Sequence, residues 1–490
     1  MIYAGFSEYA SKSFSAGFLF VLFGVALFVN TALKLDNCVC YSYNIKYRNG
    51  KEEESVMNKI YGLRFDPKEP TATARLCDAA GLKYAQETAG NIEYSDFDAC
   101  YPYSEMKECN LLSDGSVIYR GDLGFSREKN TFIEVPAFYF KRVVADGVEE
   151  WYISGKKHEG FFLEPWFIGE NGEKISHRYI AKYEGCDFSE GIVSATGKLP
   201  KRGYTIDEFR AAVNARGFSL CSVYAYLAIT HLFVIECGTV NSQSINSGVS
   251  YAPYSSVGYC LVRESSNSSV AAVSHTPRWD AVEVGTALYV SEQRGGDLSV
   301  SRRLISKEVR GDLLYLTLDG EPLDFIAEIT RVYPSAFATG ACDGLKYVNG
   351  RPSDNEYISS FVYRGIENIY GNTWEFMDGA SFSSESLKVS LFGVELSFLS
   401  PYNNSLGESG RGFIAELGYD AEKPYATFPS KIGVPAKTHY FSEWSTMVTE
   451  GNASIVFGGG WDHFFCNGIF CLRCLGKNAK NWLYGYRAMK

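Results

Sequence analysis

The stretch that decides the reading runs from Gly458 to Lys490, as GGGWDHFFCNGIFCLRCLGKNAKNWLYGYRAMK. Three glycines lead into Trp461, and Gly485-Tyr486-Arg487 closes the stretch before the last residues. Between these ends stand Asp462, His463, Phe464, Phe465, Cys466, Cys471, Arg473, Cys474, Leu483 and Tyr484. A half-buried strand alternates apolar and polar residues, and a helix repeats near every 3.6 residues. This stretch does neither cleanly. It reads as a glycine-framed backbone presenting mixed, partly aromatic side chains on loops, where binding residues are commonly carried.

Composition narrows the class of partner. The chain has 490 residues, with 57 Asp and Glu against 47 Lys and Arg, a net charge of −10. No basic block is available to neutralise phosphates, which argues against nucleic acid as the main partner. Tyr (34) and Phe (33) are abundant while Met (6) and His (6) are scarce. Such aromatic, Gly-rich sequence favours strands and loops, and Tyr supplies contact area at low entropic cost. Thirteen cysteines, an odd number without a repeating spacing, do not form a secreted disulfide framework. Cys221 and Cys237, in apolar surroundings, read as small buried hydrophobes.

Residues 1–57 form an N-terminal segment and linker. Ala16–Val29 is an unbroken apolar run that extends to Leu33 if Asn30 and Thr31 are tolerated. Fourteen residues are fewer than the roughly 20 that span a bilayer. The flank, with only Lys12 for positive charge, suits a signal peptide poorly. Signal, anchor and buried attachment segment all stay open, and a membrane enters only if residues 16–33 are an anchor.

From Ile60 the chain shows short apolar runs separated by Gly, Asp, Asn and Pro, which is strand composition. Helical signal is concentrated in one place. Thr205-Ile206-Asp207-Glu208 is a capping box, and the helix it opens should run to Arg216, with Phe209, Ala212 and Val213 on one face. A second helix is predicted from Ser219 to Glu236, apolar nearly all round and therefore buried. His231 within it reads as a satisfied core histidine. Residues 265–351 return to alternating runs and read as a β-rich insertion. The block RGIENIYGNTWEFMDG, Arg364–Gly379, then precedes the tail.

Two neighbouring helices, the W-E-x-x-D-G element at Trp374–Gly379 and the GGGW…GYR tail together resemble one family. It is the C-type-lectin-like fold of formylglycine-generating-enzyme type, and within it the variable proteins of diversity-generating retroelements and phage tail receptor-binding proteins. The matching segments also include YGLRFDP, VPAFYFKR, YIAKYEG and IECGTVNSQSINSG at Ile235–Gly248. The resemblance implies an α+β fold with two helices, short antiparallel strands, many loops and the β-rich insertion. Its domain would comprise residues 58–264 and 352–490, with a ligand-binding face at residues 458–487.

On that resemblance Asp462, His463, Phe464, Phe465, Cys466, Cys471, Arg473, Leu483 and Tyr484 would face a ligand. Asp462, His463, Phe465, Cys466, Cys471, Arg473 and Leu483 are types that a twice-mutated AAC codon can encode. Gly459, Trp461, Trp482, Gly485 and Arg487 would hold the frame, with Asn372 and Trp374 supporting it. The implied partner is a host-cell surface protein or glycan receptor, met by a phage tail or, alternatively, by a bacterial surface adhesin. A homotrimer follows by analogy. No enzymatic activity, cofactor or metal is expected.

Two other chemistries compete for the same residues. His463, Cys466, Cys471 and Cys474 contain a C-x₂-C pair, but no second pair flanks it as a zinc site would require. Formylglycine-generating enzymes use two cysteines near this tail, and Cys466 and Cys471 share their spacing. They stand later after GGGW than the family register places them, and Phe464 and Phe465 would oppose a lowered thiol pKa. Calcium-dependent sugar binding lacks its motif, since Glu164-Pro165-Trp166 and Glu321-Pro322-Leu323 carry no carbonyl-bearing third residue. Glu375 and Asp378 are expected to orient loops by hydrogen bonds.

Overall fold

The structure is a computed structural model. It describes residues 56–490 except 68, 85–94, 113, 250–258, 261–262, 281, 283, 292–299, 344–359, 383–386, 392–393, 399–404, 407–410, 435–443, 447–452, 462, 464–466 and 477. The apolar run Ala16–Val29 therefore lies outside the described residues, as does almost all of the segment 1–57. Among the described residues no helix is long and apolar enough to cross a membrane.

Among the described residues strands dominate, and two helices longer than one turn accompany them. The first sheet runs Glu69–Cys77, Ile60–Asp66, Val148–Ser154, Tyr139–Ala145, Phe162–Leu163, all antiparallel. Tyr61, Leu63 and Phe65 turn inward while Arg64 faces solvent, the period-2 pattern of a strand with one wet face. Leu63 stands opposite Trp151, whose ring meets Phe65 and Phe140 edge-on.

The helix Ile206–Asn214 opens with the expected box: Thr205 Oγ1 accepts the Glu208 N–H, and Glu208 accepts the Thr205 N–H. It stops two residues before Arg216. The second helix, Val223–Cys237, begins four residues later than predicted. Ser222 caps it, and Ser219–Leu220 becomes a strand because the chain end, Ala488–Met489, pairs with it. Every side chain from Val223 to Glu236 is buried, consistent with apolar residues on all sides. His231 is held there by Glu164 Oε1 at 2.5 Å and Thr427 Oγ1 at 3.0 Å, and stacks on Phe140 at 3.9 Å. It is a satisfied core residue.

A second sheet orders Ser219–Leu220, Ala488–Met489, His177–Ala181, Thr131–Pro136, Lys107–Leu111 and Val117–Tyr119. The end of the chain is thus stitched between segments more than 250 residues earlier. The insertion forms its own six-stranded sheet, from Tyr259–Cys260 to Arg331–Phe337, over a separate core that includes Trp279, Leu288 and Leu316. That sheet begins slightly before residue 265 and returns to the body at Phe337, whose N–H donates to Asn372 Oδ1 at 2.7 Å. The tail belongs to a large mixed sheet in which Ala453–Gly458 lies between Trp374–Phe382 and Gly468–Gly476. Tyr484–Tyr486 pairs in parallel with Trp374–Phe382 on its other side.

Candidate ligand-binding face

The glycine lead owes its course to two asparagines. Gly459 has φ of +82°, in the left-handed region that L side chains avoid, and a Cβ there would overlap the Asn467 carboxamide. Asn467 Nδ2 donates to the Gly460 carbonyl at 3.1 Å and to the Val249 carbonyl at 2.9 Å. Asn372, itself left-handed at φ 61°, receives the Trp461 N–H on its carbonyl at 3.0 Å. Asparagine adopts that conformation more readily than most residues. The Asn372 side chain also donates to Glu184, which accepts the Thr373 N–H at 2.9 Å.

At the closing end, Arg487 is buried with all its donors engaged. Nε and Nη2 fork onto Glu375 at 3.0 and 2.6 Å. The remaining contacts reach the carbonyls of Ala181, Lys182, Glu367 and Asn368 at 2.9–3.2 Å. The Glu375 carboxyl is thereby a structural partner rather than a metal ligand. Asp378 likewise pairs with Arg210 at 2.8 Å. Gly485, opposite Glu375 in the ladder, runs close to the Lys201 carbonyl and the Thr373 hydroxyl.

Burial among these groups shifts their protonation. Desolvation, reinforced by the neighbouring Glu375, pushes Glu184 well above the usual carboxylate range. Desolvation also raises Glu375, against the pull of Arg487. Glu367 is pushed up to about 7 by burial, although it accepts the Gly340 and Cys342 N–H groups.

The strand Gly468–Gly476 sorts the tail side chains by alternation. Phe470, Leu472 and Cys474 enter the main core, whereas Cys471 and Leu475 enter the core shared with Trp374, Trp461 and Tyr484. Arg473 lies on that second face and is partly open, while the other side chains before Gly476 are buried. Its guanidinium sits over the rings of Trp374 and Tyr484, at 5.9 and 5.8 Å from their centroids. Among the described residues it makes no hydrogen bond or ion pair. His463 packs on Trp374 at 4.9 Å, with Nδ1 3.6 Å from Cys471 Sγ. Desolvation, and then the nearby Arg473, lower its pKa to about 4, so the ring is neutral at pH 7. Trp461 and Trp482 meet at 4.7 Å, and Tyr289 of the insertion approaches Trp482 at 6.2 Å.

Several sequence expectations change here. Cys471, Leu483 and Tyr484, expected to face a ligand, are buried at 0 %, 8 % and 5 % exposure. Cys471 packs into the core that holds Trp374 and Trp461, and Tyr484 is buried by its parallel pairing with Trp374. Asp462, Phe464, Phe465 and Cys466 lie outside the described residues. His463 and Arg473 keep partial exposure and share the Trp374 ring, and Trp482, expected in the frame, is also partly open. Gly459, Trp461, Gly485, Arg487, Asn372 and Trp374 are all buried around them.

The C-x₂-C pair cannot chelate one ion, because Cys471 and Cys474 enter different cores. Among the described residues no three His, Cys, Asp or Glu side chains converge as metal ligands would. Sequence reasoning missed Asn467 and Glu184. The available signal for Glu184 was an acid inside the apolar run of the quoted YIAKYEG segment. Nothing local marked Asn467. The chain matches no protein-family model and no curated protein.

Proposed function

We propose that this chain is a receptor-binding protein with a C-type-lectin-like scaffold, displaying the face at residues 458–487 on a phage tail or fibre. The observation that carries the reading is the division of labour in the tail. Its glycine and arginine framework, with Trp374 and Trp461, is buried and tied by backbone or side-chain hydrogen bonds to distant segments, which supports a frame that tolerates change at the positions left open. Arg473, His463 and Trp482 remain partly open on that frame, and Arg and Trp are the residue types that dominate binding hot spots. Affinity at one copy can be modest where several copies act together, since avidity adds roughly 10²–10⁴-fold. The variation of the open positions by codon replacement belongs to the same proposal.

Arg473→Ala and Phe465→Ala should each abolish adsorption to receptor-bearing cells while the melting temperature stays within about 2 °C. Unfolding of both variants would make these residues core and end the proposal. The apolar run Ala16–Val29 favours display on a bacterial surface as the second setting, and cell fractionation separates the two.

A further inference from the structure

We propose that Arg473 anchors an aspartate or glutamate side chain of a protein receptor docked on this face. The inference rests on the receptor-binding reading and names the chemistry that the face would accept.

Three observations lead there. The chain is acidic overall, yet among the described residues this guanidinium has neither an ion pair nor a hydrogen bond, whereas buried Arg142, Arg364 and Arg487 all have carboxylate partners. Arg473 is held over two aromatic rings, which orients the planar fork before any partner arrives and lowers the entropy lost on binding. Among the described residues no acid competes for the fork. His463 beside it is neutral. A guanidinium fork matches a carboxylate through two parallel N–H···O bonds. The rings of Trp374 and Tyr484 are buried and present no open face for a sugar to stack on, which favours an acidic protein side chain over a glycan.

The test uses the full-length chain and small probes. The Arg473 Nε–H signal is followed by NMR, assigned by its loss in Arg473→Lys, with His463 Cε1–H as a second reporter that survives in the variants. N-acetylglutamate should shift both signals saturably, and the neutral isostere N-acetylglutamine should not. In Arg473→Lys and Arg473→Gln the His463 response should need about tenfold more probe or vanish, with melting temperature recorded for each. A response unchanged in both variants overturns the proposal, as does none in the wild type. A response to inorganic phosphate or glucuronate but not to N-acetylglutamate overturns the commitment to an acidic protein side chain. Cell adsorption is read in parallel. Adsorption lost in Phe465→Ala without any acid response sinks this inference and leaves the receptor-binding reading standing. An acid response with normal adsorption of Arg473→Ala and Phe465→Ala sinks both.

Discussion

Replacing Arg487 by methionine tests whether the tail is clamped from beneath. The substitution keeps an unbranched stem and removes the guanidinium, which leaves Glu375 buried without its cation. Breaking a buried pair from one side costs about 3–5 kcal/mol. The carbonyls of Ala181, Lys182, Glu367 and Asn368 also lose their donors. An unsatisfied buried polar group costs about 1–3 kcal/mol, with relaxation absorbing part of the sum. The expected loss is therefore about 5 kcal/mol or more, comparable with the whole stability of many domains. Urea unfolding at pH 7, followed by tryptophan fluorescence and far-ultraviolet circular dichroism, measures it as a shift in midpoint. Adding Glu375→Leu to Arg487→Met should recover at least about 2 kcal/mol, because the stranded charge disappears. A loss below about 1 kcal/mol for Arg487→Met, or a double variant no more stable than the single one, would refute the clamp.

Three further outcomes follow from the same geometry. Glu367 and Glu184 have pKa values raised above their ordinary 4.5, so the folded state binds more protons than the unfolded state above that value. Both contributions are fully present below pH 4.5; that of Glu367 is lost as pH rises through about 7 and that of Glu184 through about 8. Stability should fall across that window, and Glu367→Gln should flatten the slope; an unchanged slope refutes the assignment. Gly459→Ala combines a left-handed backbone with overlap at Asn467, and should lower stability by about 2–4 kcal/mol in the same urea assay. A change within about 0.5 kcal/mol would show that the glycine lead is not constrained. The His463 Cε1–H signal should titrate near 4, so the depressed folded pKa makes its contribution present above the ordinary 6.5 and lost as pH falls through about 4. Titration near 6.5 would mean that the ring is solvated.

Much of the local structure was legible from the sequence. Thr205 and Glu208 announced a helix start because capping depends on residues three apart. The apolar residues around the Val223–Cys237 helix announced burial, since no face of it could meet water. The glycines at 458–460 and the Gly485–Arg487 ending marked a frame. Tertiary structure alone decided which tail side chains point outward. The C-x₂-C spacing suggested convergence, yet in a strand residues three apart point to opposite faces, so Cys471 and Cys474 enter separate cores. Tyr484 is buried because its strand pairs with Trp374, over 100 residues earlier. The helix start moved because the last strand claimed Ser219–Leu220. Local spacing sets turns, caps and periodicity, whereas the exposure of a side chain depends on which distant strand lies beside it. That left Arg473 partly open on the tail face, and unpaired among the described residues.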